Sequence, residues 1–392
     1  MPDHATRDDI DLCSGAFWAG DHHEALAWMR AEAPVYWDGA VWGVSRYGDL
    51  KEVAKDPTTF SNAGGIRPGF PPLPFMIDMD DPAHVQRRKL VNRGFTPKRV
   101  RGSEADVRRA CTEILDAVAE RGEADLVADI AALLPMIMIG DALGVRPEHR
   151  ADLLRWSDDM VKGQDAHATA EQLDAAGNAF GEYWAYATEV IADRRAEPRD
   201  DLMSVLVHAE VDGDRLSDDE IVHESLLILV GGDETTRHVI TGGVHQLLSD
   251  RAQWERVVTD PAVRPAAVEE MLRWVSPIKN MVRTATRDVV LAGQQVREGQ
   301  ELMLLYPSAN RDESVFDEPF RFDIDRFPNE HVAFGFGPHF CLGASLARLE
   351  ILVMLEELAS RLPALALADP DAAPPMRPAN FISGIEHLPV TF

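Results

Sequence analysis

The chain has 392 residues, 45% of them hydrophobic, with 39 basic against 66 acidic side chains and a formal net charge of −27. That balance disfavours nucleic acid as a partner. The best apolar run, 130–140, is too short to span a bilayer and contains Pro135, so no membrane span is expected. Met1-Pro2-Asp3-His4 opens no cationic and then apolar leader. Cys13, Cys111 and Cys341 offer no disulfide framework and point to a reducing, cytoplasmic setting. No linker rich in Gly, Pro or Ser separates two hydrophobic patterns, so residues 1–392 are expected to form a single unit.

In chain order, the spacing predicts a short helix over 24–33, then a hairpin of 35–37 and 41–44 turning at Asp38-Gly39. A helix is expected over 47–56, and the glycines and prolines of 61–74 predict a loop. Helical periodicity follows over 83–95, 103–121, 126–143, 147–161 and 170–197, with Pro135 breaking or kinking one of them. Ser217-x-x-Glu220 is a capping box that opens a long helix running to Ser249. Residues 226–230 of that helix are apolar on all sides, so it is expected to cross the interior. Residues 261–274 read as helix, and 289–291, 295–297 and 301–306 as strands. The stretch from Asn310 to Cys341 reads as irregular coil, and 378–392 as a last hairpin after the helix 344–358. The fold class is mainly α with a small β region.

Two stretches carry the chemistry. Gly231-Gly232-Asp233-Glu234-Thr235-Thr236 interrupts the central helix at a cost of about 1 kcal/mol per glycine relative to alanine. Close helix packing with i,i+4 surface pairs is one explanation. The other is a helix opened over a ligand, because Glu234 and Thr235 cannot serve one site from an undistorted helix. The second stretch is Phe334-Gly335-Phe336-Gly337-Pro338-His339-Phe340-Cys341-Leu342-Gly343. Any lone cysteine can be an inert core residue. Here, however, glycines permit close backbone approach, aromatics exclude water, and amides near a helix start stabilise a thiolate. A haem iron with an axial cysteinate uses all three features.

Read as Phe334-x-x-Gly337-x-His339-x-Cys341-x-Gly343, this segment resembles the haem-binding signature of the cytochrome P-450 family. The resemblance extends from Val35 to Phe392 and implies that family's fold, with a long central helix over the haem. It implies haem b held by Cys341 as metal ligand. Phe334, Gly335 and Gly343 would lie against the ring, with His84, Arg88, Arg283 and His339 on its propionates. It gives Thr235 the role of hydrogen-bonding dioxygen and Glu234 that of relaying protons from solvent. Glu270-x-x-Arg273 matches a structural pair that docks onto the coil before the cysteine. Arg87, Arg88, Lys89, Arg93, Lys98, Arg99 and Arg101 form a basic stretch in an acidic protein, which suggests a steering patch for an acidic redox partner. The resemblance makes that partner a ferredoxin with its NAD(P)H-dependent reductase.

Within the family, the chain is similar to actinobacterial enzymes that oxidise a terminal methyl of the cholesterol side chain. Asn62–Pro68, Met76–Pro82, Pro277–Met281 and Pro378–Gly384 carry that similarity. Ile66, Leu73, Met76, Leu226, Leu229, Val230, Ile278, Met281 and Phe381 are the expected apolar lining for a long hydrophobic substrate. A fatty acid, terpenoid or polyketide would suit the same chemistry. A haem sensor or electron carrier is the alternative from another class, and it would not need Glu234 and Thr235.

Overall fold

The computed structural model describes residues 6–163 and 168–392, so the segment Met1-Pro2-Asp3-His4 lies outside the described residues. The central helix, Asp218–Ser249, begins and ends where its sequence signals place it. Ser217 Oγ accepts from the Glu220 N–H at 3.3 Å, and Glu220 Oε2 accepts from the Ser217 N–H at 2.8 Å, completing the capping box. On one side it packs against Leu133–Ala142, Arg150–Lys162 and Ala170–Ala196; on the other it meets Arg264–Val275 and Ala344–Arg361. It is therefore buried on most of its faces, as its all-round apolar middle requires.

A five-stranded sheet stands beside this helical body, in the order Val35–Trp37, Trp42–Val44, Glu301–Leu305, Asn280–Ala285 and Phe60–Ser61. Trp42–Val44 runs parallel to Glu301–Leu305 with Trp42 opposite Leu302, and the other pairs are antiparallel. The fold is thus mainly α with a small β region, as expected.

Several local expectations need correction. The central helix is continuously helical through Gly231 and Gly232, and it is not opened. Thr235 Oγ1 donates back to the Gly231 carbonyl at 2.7 Å, so the hydroxyl is accommodated without breaking the ladder. The stretch 126–143 divides into a π-helical turn, Leu126–Ala131, and the helix Leu133–Ala142, whose third position is Pro135. A proline near a helix start loses no intrahelical donor, which is why the break falls upstream of it. Residues 378–392 do not form a hairpin. Only Pro389–Thr391 is a strand, and it pairs with Glu123–Asp125 and Ala366–Leu367. Met376 and Ile382 make isolated bridges instead, to Ile385 and Ile278. The strand Asn280–Ala285 and the helices Pro97–Gly102, Leu202–His208 and Arg251–Thr259 were not foreseen.

Glu270 and Arg273 fix the coil that leads to the cysteine. Both side chains are fully buried and paired at 2.7 Å. Arg273 donates to the carbonyls of Asn310, Pro319 and Arg321, while Glu270 accepts from the Asp323 N–H, Arg326 and Asn329. One ion pair thereby satisfies backbone groups along a segment that has no ladder of its own.

Candidate active site

The Cys341 loop is shaped by glycines that nothing larger could replace. Gly335 and Gly337 have φ of +71° and +78°, and a Cβ on Gly337 would stand 2.3 Å from the Ala54 carbonyl oxygen. The Cys341 N–H donates to the Phe334 carbonyl at 2.9 Å, closing the loop on itself. Lys51 lies 4.4 Å from the Phe336 ring centroid and Arg348 lies 4.6 Å from that of Phe334, clamping the aromatics from outside. Cys341 is accessible only because it faces an internal cavity. Burial pushes its thiol up, against the opposing pull of the Gly343 N–H and the Arg88 and Arg348 charges.

The cavity has a volume of about 550 Å³ and is lined both by the Cys341 loop and by the central helix. Phe334, Gly335, Gly343, His84, Arg88 and His339 line it, as do Gly231, Gly232 and Thr235. A Cβ on Gly231 or Gly343 would meet nothing within 4 Å, so the space between these walls is open. Of the residues expected to contact substrate, Ile66, Leu73, Met76, Leu226, Val230, Ile278, Met281 and Phe381 all face this space. Leu229 does not. It is fully buried in the helical core on a part of the helix surface that the cavity never reaches.

Two histidines and two arginines gather at and behind the rim of the cavity. His84 and His339 stack with ring centroids 3.9 Å apart; His84 Nδ1 lies 3.3 Å from Asp81, and among the described residues its buried Nε2 has no partner. Burial and the neighbouring His84, Arg283 and Arg88 charges push His339 down to about 2. Arg283 is buried, and among the described residues its guanidinium donates only to the Val282 carbonyl. Arg283 is not on the cavity wall itself but behind it, in the strand Asn280–Ala285. Arg88 Nη2 donates to the Phe340 carbonyl at 2.5 Å, next to the cysteine. A flat ligand with two carboxylates and an iron accounts for these orphaned donors and for the exposed sulfur together. The residues fit haem b, with Cys341 as axial ligand and His84, Arg88, Arg283 and His339 available for its carboxylates.

Glu234 and Thr235 point to different surroundings, as an undistorted helix demands. Thr235 faces the cavity; Glu234 is fully buried away from it. Glu234 accepts from Arg237 at 2.6 Å and from Arg377 at 2.7 Å, and His238 Nε2 lies 3.5 Å away. Burial works against its charge, but the nearby His238 ring and the two arginines hold it well below the ordinary carboxylate range. Asp158, on the helix Arg150–Lys162, joins the cluster and is raised by burial and by its hydrogen bond to Glu234. Asp233 is raised as well, by burial first and then by the Glu234 charge. It is therefore held uncharged and adds no second negative charge beside Glu234. Asp158 and Arg377 come from distant segments and carry no motif that could mark them beforehand.

The profile of the family described as Cytochrome P-450 matches residues 262–378. The chain is 54% identical to a steroid C26-monooxygenase of Mycolicibacterium smegmatis, over 100% of this chain and 98% of that protein. It is 54% identical to a steroid C26-monooxygenase of Mycobacterium tuberculosis, over 98% of this chain and 97% of that protein. Among solved structures, a Mycobacterium marinum cytochrome P-450 in complex with pseudoionone is similar with a TM-score of 0.91 and 34% identity, and each chain covers 100% of the other. Fold and site thus define a haem-thiolate oxidoreductase that incorporates oxygen from dioxygen. The chain belongs to the cytochrome P-450 family.

Proposed function

We propose that residues 1–392 act as one catalytic unit that hydroxylates a terminal methyl of a cholesterol-type side chain, with onward oxidation to the acid as its extension. The observation that carries this reading is the 54% identity, over essentially the whole chain, to steroid C26-monooxygenases. The cavity supports it physically. Its lining is mostly apolar and includes Cys341, which suits a long hydrophobic molecule held with one end at the reacting centre. A terminal C–H bond is stronger than the neighbouring tertiary one, and positioning is what makes it the one attacked.

Haem b, when bound, would supply the iron that activates dioxygen, and the Cys341 sulfur would hold that iron. The chain supplies proton control. The Thr235 hydroxyl spends its proton on the Gly231 carbonyl, which leaves its oxygen lone pairs facing the cavity as acceptors. Asp158, part-exposed at 28% of its side chain, joins Glu234 to solvent through their shared arginines, which suits the relay role given to Glu234.

Electrons come from a ferredoxin with its NAD(P)H-dependent reductase, docking where Lys89, Arg93, Lys98 and Arg101 are exposed. The helix Pro97–Gly102 packs against Ala344–Arg361, the helix that follows the cysteine. Arg87 leaves this patch, because it is paired with Glu220 and Glu224 of the central helix. None of the described helices is long and apolar enough to cross a membrane; a cytoplasmic setting accords with the reducing compartment that the cysteines indicate. The test is titration with cholest-4-en-3-one followed by product identification. A spectral shift and a terminal alcohol or acid are expected. A shift with a fatty acid, terpenoid or polyketide only, or attack on the steroid rings, refutes the steroid reading.

A further inference from the structure

The chain over the mouth of the cavity, residues 66–78, has little regular structure of its own; Met76–Asp78 forms one 3-10 turn. Its ends are fastened to the scaffold. The Ile66 carbonyl accepts from the Val282 N–H in the sheet at 2.9 Å, and the Met76 N–H donates to Glu224 of the central helix at 2.9 Å. Between those points, one carboxylate gathers the loop. Asp78 Oδ1 accepts from the Ile66 N–H at 3.2 Å, and its Oδ2 accepts from the Leu73 N–H at 2.7 Å and from Arg67 Nη2 at 2.9 Å.

The Arg67 and Asp78 side chains are 4% and 0% exposed. Burial outweighs their attraction on both sides, raising Asp78 and lowering Arg67. The net contribution of a buried ion pair to stability is small, because desolvation offsets its attraction. The pair therefore contributes shape more than stability. Ile66, Arg67, Phe70, Leu73 and Met76 all line the cavity, and the Asp78 carboxylate sets the relative positions of three of them. Leu73 is 38% exposed at the mouth while Ile66 is 2% exposed inside, so the carboxylate ties the rim of the cavity to its interior.

We propose that Asp78, acting with Arg67, is a specificity-setting positioning residue: it shapes the cavity roof so that a long apolar substrate enters end first and presents its terminal carbon. The inference rests on the side-chain hydroxylation reading for its substrate, but not for the behaviour of the roof. Asp78→Asn keeps one acceptor oxygen and places an N–H2 donor where the Leu73 N–H and Arg67 guanidinium also donate. Residues 67–75 then lose the group that holds them.

The test uses the full haem-loaded chain. In Asp78→Asn, amide hydrogen exchange at Leu73 is expected to accelerate by about tenfold or more, while the central helix keeps its protection. The red-shifted carbon monoxide band of a thiolate-ligated haem is expected to remain. The KM for cholest-4-en-3-one rises by about tenfold with a smaller change in kcat, and hydroxylation spreads to interior side-chain carbons. Exchange at Leu73 unchanged from the wild type overturns the inference whatever the substrate. Accelerated exchange with an unchanged KM and product pattern overturns the specificity role. If Asp78→Asn does not fold, the double variant Arg67→Met with Asp78→Asn removes both buried charges and is expected to fold and give the same loss. Wild-type exchange, KM and products in that variant overturn the inference. A wild-type protein that neither binds nor oxidises cholest-4-en-3-one refutes the steroid reading instead.

Discussion

Thr235 and Glu234 are neighbours in sequence with separate tasks. Thr235 is hydrogen-bonded to its own helix and faces the cavity, so truncating it leaves the surrounding packing in place. Thr235→Ala is expected to keep haem and substrate binding while the fraction of electrons recovered in product falls by about an order of magnitude, with peroxide appearing in its place. Unchanged coupling would remove Thr235 from proton control. Glu234→Gln should behave differently. It strands Arg237 and Arg377 beside a neutral amide, and breaking a buried ion pair in this way costs about 3–5 kcal/mol. A loss of thermal stability alongside the loss of turnover, absent in Thr235→Ala, is the signature to look for. Glu350 poses a simpler question, since it lies buried on the cavity wall and burial pushes it up from 4.5 to about 8. A carboxyl raised on folding contributes stability that is fully present below pH 4.5 and lost as pH rises through about 8. Across that window, melting temperatures of Glu350→Gln should gain on those of the wild type. A constant difference between the two proteins would contradict a protonated Glu350.

At the scale of elements, the coil before Cys341 depends on a helix elsewhere in the chain. Glu270 and Arg273 are fully buried and satisfy one another as well as the coil. Glu270→Ala leaves Arg273 and Arg326 without their carboxylate, a loss of about 3–5 kcal/mol. Because those bonds shape the approach to the cysteine, haem content per mole of purified chain should fall more steeply than helical content by circular dichroism. The central helix is more forgiving: Ser217→Ala removes one cap and should cost about 1 kcal/mol with no change in the haem spectrum.

For the whole molecule, charge distribution matters more than net charge. A chain of −27 repels an acidic redox protein at long range, so exposed cations such as Lys89, Arg93, Lys98 and Arg101 have to steer it locally. The Debye length is about 8 Å at physiological ionic strength, so salt should slow ferredoxin-driven reduction. The double variant Lys98→Glu with Arg101→Glu should slow it at low salt and flatten that dependence. Reduction insensitive to both salt and these substitutions would place docking elsewhere.

Signals confined to neighbouring residues were legible in the sequence. The capping box at Ser217 and Glu220, the span of the central helix and the glycines around Cys341 follow from local spacing and side-chain type, whereas the apolar wall was implied by family resemblance. What needed the tertiary structure was every role set by a partner far along the chain. The sequence could suggest an opened helix at Gly231 and Gly232, but only the continuous ladder showed Glu234 turned away from the cavity toward Arg237 and Arg377. Arg87 looked like its basic neighbours until Glu220 and Glu224 were found against it, and Leu229 looked like Leu226 until the wall passed it by. Side-chain chemistry is written residue by residue, whereas burial and ion pairing arise only when the chain brings distant residues together.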